Sequence, residues 1–313
     1  MAAECSHPLV AVAYCTACNP GACATIPAAN PRQSAAAQTH AMSLPPNTAT
    51  KHRRRTPFAM PIQLSATILT RNEAHNIGDC IASLAGLADE VIVLDSGSTD
   101  ATRDIARAHG TRLIEDDGPW PGFGPQKNRA LDAANGEWIL SIDADERVTP
   151  ELADEIRSAI AQADATGTNA YAIPRLSQFC GTWVHHCGWR PDYVTRLVRR
   201  GQARFSDNLV HESLQVTGTT GRLHASLLHY SYTSMEQVQR KSAQYAEAGA
   251  REFAARGKRP GWLSPALHGG WAFIRTLLLR RGFLDGKAGW AIARMNASVS
   301  YRKYQRAREL TAA

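Results

Sequence analysis

Short apolar runs alternate with helix-like segments in the first half of the chain. Four runs predict strands, at residues 62–70, 91–94, 111–115 and 138–142, and the second of them is predicted to be buried. Between the first two runs, Ile77, Ile81, Leu84 and Leu87 recur at the spacing of one helical face. This alternation is typical of βαβ units, so we predict an α/β fold with a mixed, mainly parallel sheet flanked by helices.

Residues that favour helix ends fall between these strands. Asn76 is predicted to cap the first helix, and Thr99 or Asp100 the second, which closes at Gly110. A third helix is expected over residues 125–135, before Gly136. Pro150 suits the first turn of a fourth helix, running through residue 160.

The C-terminal part predicts a helical extension of three helices, at residues 235–256, 263–280 and 286–308. The middle helix carries an apolar stripe formed by Leu267, Trp271, Ile274, Leu277 and Leu278, bordered by Arg275, Arg280 and Arg281. Such a basic amphipathic segment can lie on an anionic membrane surface. It can equally be a helix that packs on the rest of the protein with a solvated basic face, and both interpretations stay open.

Composition divides the chain into three parts. Residues 1–60 contain seven of the 16 prolines and no apolar periodicity, which predicts a disordered leader and makes Met60 a candidate translation start. Cys15 and Cys18 have a zinc-like spacing, but the lack of a second pair favours no metal site there. We expect a catalytic domain at residues 61–235 and a basic helical region at 236–313.

The net charge of +7 is unevenly distributed. It divides into +4 for residues 1–60, −8 for residues 61–239 and +11 for residues 240–313. A uniformly basic nucleic-acid binder would not have an acidic middle, so the basic end suggests an anionic membrane surface or a phosphorylated acceptor as partner. No run of ~20 apolar residues and no secretory signal is present, which predicts a cytoplasmic location.

Polar clusters follow three of the predicted strands, at residues 70–73, 95–100 and 143–146. Because ligands of parallel sheets bind at the carboxyl ends of the strands, these clusters are expected to form one site with divalent-metal chemistry. The chain has no GxGxxG after the first strand and no GxxxxGK[ST]. Their absence argues against a dinucleotide dehydrogenase and a P-loop enzyme.

In this order and spacing, several motifs together resemble glycosyltransferase family 2, which has the GT-A nucleotide-sugar fold. They are Asn72-Glu73, the VIVLDSGSTD run at 91–100, Lys127-Asn128-Arg129 and Asp143-Ala144-Asp145. Ser96 departs from the pattern, since many members have a second Asp there.

Motifs in the second half are similar to the branch that contains lipopolysaccharide core glycosyltransferases, especially the inner-core β-1,4-glucosyltransferase type. They include Gly181-Thr-Trp183, the CGWRPD run at 187–192, Arg196-Leu197, Val210-His211-Glu212 and the RGFLDG run at 281–286.

The resemblance implies a role for each candidate residue. Asp145 is expected to bind Mg²⁺ or Mn²⁺, and Asp143 to contact the ribose or the metal. Glu73 and Asp95 would hold the nucleotide, and Arg71 and Lys127 would neutralise its phosphates. The alternatives are plain: Asp95 as a turn residue, Glu73 as a solvated loop charge and Lys127 as an exposed helix lysine.

Acceptor chemistry is assigned to the second half of the domain. An inverting transfer needs a base opposite the leaving group, and the resemblance assigns Glu212 this role, with His211 orienting it or serving as base itself. Trp183, Trp189 and Tyr193 form a possible acceptor platform near Asp192, or ordinary core.

The sequence thus predicts an inverting, metal-dependent glycosyltransferase. It would use a nucleotide sugar, with UDP-glucose favoured, and a lipid-linked acceptor of the lipopolysaccharide inner core at the inner face of the cytoplasmic membrane. Another envelope glycan or polyprenyl phosphate is the alternative acceptor. A non-catalytic membrane-associated adaptor and a nucleotidyltransferase are the alternatives to a glycosyltransferase, and no nucleic-acid partner is expected.

Overall fold

The structure is a computed structural model that describes residues 63–206, 213–257 and 259–312. The predicted leader with Cys15 and Cys18, and the pair His211 and Glu212, lie outside the described residues. The strands are β1 Leu64–Thr70, β2 Glu90–Asp95, β3 Arg112–Glu115, β4 Trp138–Asp143, β5 Glu146–Arg147, β6 Thr168–Phe179, β7 Thr182–Trp183, β8 Tyr193–Arg199, β9 Ala203–Phe205, β10 Leu214–Val216, β11 Thr219–Arg222 and β12 Leu227–Tyr232. The α-helices are α1 Ile77–Ala82, α2 Thr102–Ala108, α3 Phe123–Ala133, α4 Pro150–Thr166, α5 Met235–Ala255, α6 Ser264–Ile274 and α7 Gly286–Ala312.

A mixed sheet with the strand order β3-β2-β1-β4-β8-β6-β12-β5 organises the domain, and β7 and β11 pair with β6. The first four strands in this order are parallel to one another, as the βαβ pattern predicts. β8 then runs antiparallel to both β4 and β6. The predicted α/β fold class, a mixed sheet with helices and a C-terminal helical extension, is confirmed.

The register of the parallel strands aligns the ends that carry the polar clusters. Thr70 pairs with Asp95, and Leu69 pairs with Asp143. The side chains of Ile68, Val93 and Leu140 are buried in one continuous apolar core. Because this core holds β1, β2 and β4 in register, the loops that follow them meet at one edge of the sheet.

Asn76 occupies the N-cap position of α1 as predicted, but it does not cap the helix with its side chain. Its side chain makes no capping hydrogen bond to α1, and its Nδ2 instead donates to Glu73 Oε2 at 2.8 Å. The carbonyl oxygen of Glu73 accepts the backbone N–H groups of Asn76 and Ile77, both at 2.9 Å. A backbone acceptor therefore satisfies the start of the helix, and the Asn76 side chain is used to hold Glu73.

The C-terminal helices pack on the catalytic part through a second apolar cluster. Val184, Cys187 and Trp189 contact Val238 of α5 and Ile292 of α7 within it. The helix predicted over residues 263–280 is not one regular α-helix, because α6 ends at Ile274 and a π-helical turn spans Arg275–Leu279. A 3₁₀ turn at Gly282–Asp285 then leads into α7. No helix in the described parts of the chain is long and apolar enough to span a membrane.

Close packing at Gly289 gives a stability prediction. A Cβ atom added there would lie 1.7 Å from the carbonyl oxygen of Gly282, so the backbone would have to move. Gly289→Ala is expected to destabilise the fold by about 1–3 kcal/mol, as overpacking does. The control is Gly270→Ala on α6, where a Cβ would have no neighbour within 4 Å. That control should be neutral or stabilising by up to about 1 kcal/mol, and equal urea midpoints for the two variants would contradict the prediction.

Candidate active site

Hydrogen bonds connect the loops that follow β1 and β2. The backbone N–H of Asn72 donates to Ser98 Oγ, and that of Glu73 donates to Thr102 Oγ1, both at 2.8 Å. In return, the N–H of Thr99 donates to Asn72 Oδ1 at 2.8 Å. Asn72 adopts a left-handed conformation with φ of 56°, which asparagine tolerates better than most residues. The first two predicted clusters therefore form one structural unit.

Asp143, at the end of β4, lies between two cations. Its Oδ1 is 3.1 Å from Lys127 Nζ, and its Oδ2 accepts a hydrogen bond from the Arg196 guanidinium. Burial alone would raise the pKa of Asp143, but the charges of Arg196 and Lys127 outweigh it and lower the pKa well below 3.8. Lys127 is itself buried in α3, so it is not an exposed helix lysine.

Glu146 is a fully buried carboxylate that the sequence analysis did not assign a role. Its Oε2 accepts the backbone N–H of Asp143 at 2.9 Å, and its Oε1 accepts from Arg196 at 2.8 Å. Arg175 Nη1 lies 3.6 Å from the same Oε1, and Arg175 Nη2 donates to Asp192 Oδ2 at 2.7 Å. Glu146 therefore braces the turn between Asp143 and Asp145, and Asp192 is engaged by Arg175.

His229 of β12 faces Asp145 and is the second residue that the sequence analysis missed. Its Nε2 is 3.4 Å from Asp145 Oδ2, while its Nδ1 is 3.0 Å from Ser177 Oγ. The side chain is buried, and Nε2 makes no hydrogen bond of its own. Burial raises the pKa of Asp145, but the electrostatic interaction with His229 opposes it, and the net pKa is lowered. The alternating burial of β12 places His229 inward, and only the fold reveals that it meets Asp145.

The Asp145–His229 pair fits a divalent cation. The Asp145 carboxylate is an oxygen ligand of the kind that Mg²⁺ and Mn²⁺ prefer, and the buried His229 imidazole beside it is a nitrogen donor that Mn²⁺ accepts more readily than Mg²⁺ does. Within the described residues, no group of three or more His, Cys, Asp and Glu side chains is arranged to hold a metal. Two protein ligands are sufficient where substrate phosphates and water supply the others, as is usual for Mg²⁺.

Glu73 and Lys241 border the same site. Burial raises the pKa of Glu73, the hydrogen bond from Asn76 lowers it, and the charge of Asp145 raises it, with a net increase. Lys241 of α5 is buried, and its Nζ donates to the carbonyl oxygen of Ser231 at 3.3 Å. Its charge acts on both Glu73 and Asp145, so the C-terminal helices contribute to the electrostatics of the site. Arg71 is partly exposed at this edge.

Asp95 is fully buried and already hydrogen-bonded. It accepts from the backbone N–H of Ser98 at 2.9 Å and from Arg103 Nε at 2.6 Å, and the Ser98 hydroxyl donates to it as well. These bonds fix the loop after β2 against α2. The expected contact of Asp95 with a nucleotide remains a prediction.

The aromatic residues of the expected acceptor platform separate in the structure. Trp189 is buried and packs against Phe179 and Tyr232, so it belongs to the core. Trp183 is partly exposed, and its ring meets Tyr230 edge-on at 5.3 Å. The backbone N–H of Tyr230 donates to the carbonyl oxygen of Asp145, so Trp183 is the predicted platform residue that these contacts connect to the site.

Sequence comparison agrees with this arrangement. Residues 65–217 match the family described as "Glycosyl transferase family 2". An uncharacterized glycosyltransferase of Rickettsia bellii is 32% identical over 264 residues, which cover 80% of this chain and 87% of that protein. The chain belongs to glycosyltransferase family 2.

Two further similar proteins are a named relative and a solved structure. The lipopolysaccharide core biosynthesis glycosyltransferase LpsC of Rhizobium meliloti is 30% identical, over 78% of this chain and 93% of LpsC. Among solved structures, glucosyl-3-phosphoglycerate synthase of Mycobacterium tuberculosis in complex with Mn²⁺ and UDP is 28% identical, with a TM-score of 0.31. That alignment covers 37% of this chain and 44% of the synthase.

Proposed function

We propose that this glycosyltransferase transfers a sugar from a nucleotide-sugar donor, with UDP-glucose as first choice, to the inner core of lipopolysaccharide. The observation that carries the proposal is the pair formed by Asp145 and His229, whose buried Nε2 makes no hydrogen bond, at the edge where the family motifs converge. The similarity to LpsC over most of both chains supports the acceptor class.

Asp145 and His229 would hold the divalent cation, Mg²⁺ or Mn²⁺, and Asp143 lies close enough in sequence to contact it or the donor ribose. When bound, the cation would supply Lewis-acid stabilisation of the diphosphate leaving group. Lys127 and Arg196 add positive charge beside Asp143, where negative charge increases as the sugar leaves. Glu73, Asp95 and Arg71 are proposed to position the nucleotide.

The proposed reaction inverts the configuration at the anomeric carbon. Glu212 takes the proton of the acceptor hydroxyl as it attacks from the side opposite the diphosphate, and His211 orients Glu212. Since lipopolysaccharide is built on a membrane anchor while nucleotide sugars are dissolved, the enzyme is proposed to work as a peripheral protein at the inner face of the cytoplasmic membrane.

A donor screen combined with a Glu212 variant tests this function. The purified protein is offered UDP-glucose, UDP-galactose or ADP-heptose with Mn²⁺ and deacylated core oligosaccharide, and the product is identified by mass spectrometry. Transfer is expected from UDP-glucose. Glu212→Gln should lower kcat about a hundredfold or more while the Kd for UDP stays unchanged.

His211→Gln serves as the comparison, because it separates the two candidate bases. A smaller loss of kcat in His211→Gln than in Glu212→Gln supports Glu212, and the reverse order makes His211 the base. Transfer to another glycan or to polyprenyl phosphate, with none to core oligosaccharide, would contradict the proposed acceptor.

A further inference from the structure

Six large apolar side chains form an exposed surface on the C-terminal helices, here called the apolar face: Leu267, Trp271, Ile274, Leu278, Phe283 and Trp290. Each is between 46% and 66% exposed. The first four recur at the spacing of one helical face, through α6 and the π-helical turn. Trp290 of α7 joins them through Phe273, because the ring centroids of Trp290 and Phe273 are 5.6 Å apart.

The extent of the apolar face exceeds what folded proteins usually leave in water. Six side chains of this size, each about half exposed, present on the order of 600 Å², whereas exposed apolar patches are usually a few hundred Å². Two of the six are tryptophans, which prefer the interface between lipid and water. This surface is therefore expected to be a binding surface.

The segment that carries the apolar face is rich in basic residues. Between residues 259 and 303 the chain has eight basic residues: Arg259, Arg275, Arg280, Arg281, Lys287, Arg294, Arg302 and Lys303. The one acid in that range, Asp285, has a buried side chain. Lys287 and Arg294 are exposed three and four residues from Trp290, so they lie on its side of α7.

The segment that carries Phe283 is also bound to the loop at residues 183–190. Asp285 accepts the backbone N–H groups of His185 and His186 at 3.1 and 2.9 Å. The N–H of Cys187 donates to the carbonyl oxygen of Arg280 at 3.0 Å. At the start of this loop, Trp183 contacts Tyr230, which is hydrogen-bonded to Asp145. A short series of direct contacts thus connects the apolar face with the site.

We propose that the apolar face lies in the headgroup region of an anionic lipid bilayer and seats the loop at 183–190 beside the lipid-linked acceptor. The proposal deepens the proposed function and rests on it for the acceptor. The charge pattern favours this partner. The exposed Lys287 and Arg294 attract anionic headgroups, while two copies of the same basic surface facing each other would repel. The aromatic and leucine side chains enter the interface as those of amphipathic helices do.

Vesicle sedimentation with the full chain tests the surface directly. Wild type is expected to bind vesicles of phosphatidylcholine and phosphatidylglycerol, and to bind pure phosphatidylcholine much more weakly. Leu267→Ser/Trp271→Ser should weaken binding at least about tenfold, because two apolar side chains leave the interface. Tyr193→Ser is the matched control, since Tyr193 is also exposed but lies on the catalytic sheet, and it should bind as wild type does.

The preference for anionic lipid and the depth to which the tryptophans enter the bilayer are measured separately. Lys287→Glu/Arg294→Glu should abolish the preference for phosphatidylglycerol. Lipids brominated in the acyl chains should quench the tryptophan fluorescence of wild type, a result that does not depend on any variant folding.

Transfer to deacylated core oligosaccharide should be unchanged in both double variants, so that loss of vesicle binding and loss of catalysis are read independently. Equal vesicle binding by wild type and the Leu267→Ser/Trp271→Ser variant would overturn the proposal. So would equal binding to neutral and anionic vesicles, or a dimer that these substitutions convert to a monomer.

Discussion

Asp145→Asn is expected to lower the rate of sugar transfer by about 10³-fold or more, while the protein stays folded. The carboxylate lies 3.4 Å from His229 Nε2, a buried nitrogen that makes no hydrogen bond. An amide keeps the shape of the side chain but removes the negative charge that a divalent cation requires. The measurement is kcat/KM for UDP-glucose over a titration of Mn²⁺, together with the Kd for Mn²⁺ by calorimetry.

The control for Asp145→Asn is Asp154→Asn, which changes an exposed carboxylate on α4 that forms a surface ion pair with Arg157. It should leave both kcat/KM and metal affinity unchanged. His229→Gln should resemble Asp145→Asn, and the double variant should lose little more than either single variant, because both residues serve one site. Mn²⁺-dependent transfer at the wild-type rate by Asp145→Asn would refute the metal assignment.

The parallel half of the fold was predictable because its signals are local. Apolar runs of strand length define β1, β2, β3 and β4, and each is followed by polar residues where it ends. Parallel strands place those ends at one edge, so the meeting of Asn72 with Ser98 follows from the pattern alone. The helices also lay near their predicted positions, since their apolar spacing is independent of distant partners.

The mixed half of the sheet and the ion-pair network were not predictable in the same way. Glu146 interacts with Arg196, fifty positions along the chain, and Asp145 meets His229 from a later strand. Nothing local distinguishes an inward His on β12 from an ordinary core histidine. The order in which β8, β6 and β12 join the sheet decides these contacts, and that order depends on long-range packing.

Trp189 illustrates the same limit for aromatic residues. Two tryptophans within seven positions suit a sugar platform or a core equally well, and the structure buries Trp189 while leaving Trp183 partly exposed. On the C-terminal helices the periodicity was more informative. Of the predicted stripe, Leu277 is buried and Leu267 and Trp271 are exposed, so the stripe extends over two sides of the helix.

Arg196→Met is expected to destabilise the fold by about 3–5 kcal/mol, the cost of leaving a buried carboxylate without its partner. Arg196 is buried and donates hydrogen bonds to both Asp143 and Glu146. Methionine replaces the aliphatic part of the arginine side chain and removes the guanidinium, so the loss is mainly electrostatic. The free energy of unfolding is measured by urea denaturation followed by circular dichroism.

Arg199→Met on the same strand is the matched control. Arg199 is more exposed and pairs with the surface carboxylates of Glu137 and Asp164, so its removal should cost no more than about 1 kcal/mol. Similar unfolding free energies for the two variants would show that the buried network contributes no more than a surface pair.

The pH dependence of stability gives an independent measure of the same network. Because the pKa of Asp143 is lowered in the folded state, its contribution to stability is complete above the unfolded value near 3.8 and declines as the pH falls below it. In Arg196→Met the pKa of Asp143 should rise, since only Lys127 of its two cations remains. The variant is therefore expected to lose less stability than wild type on acidification, even though it is the less stable protein at neutral pH.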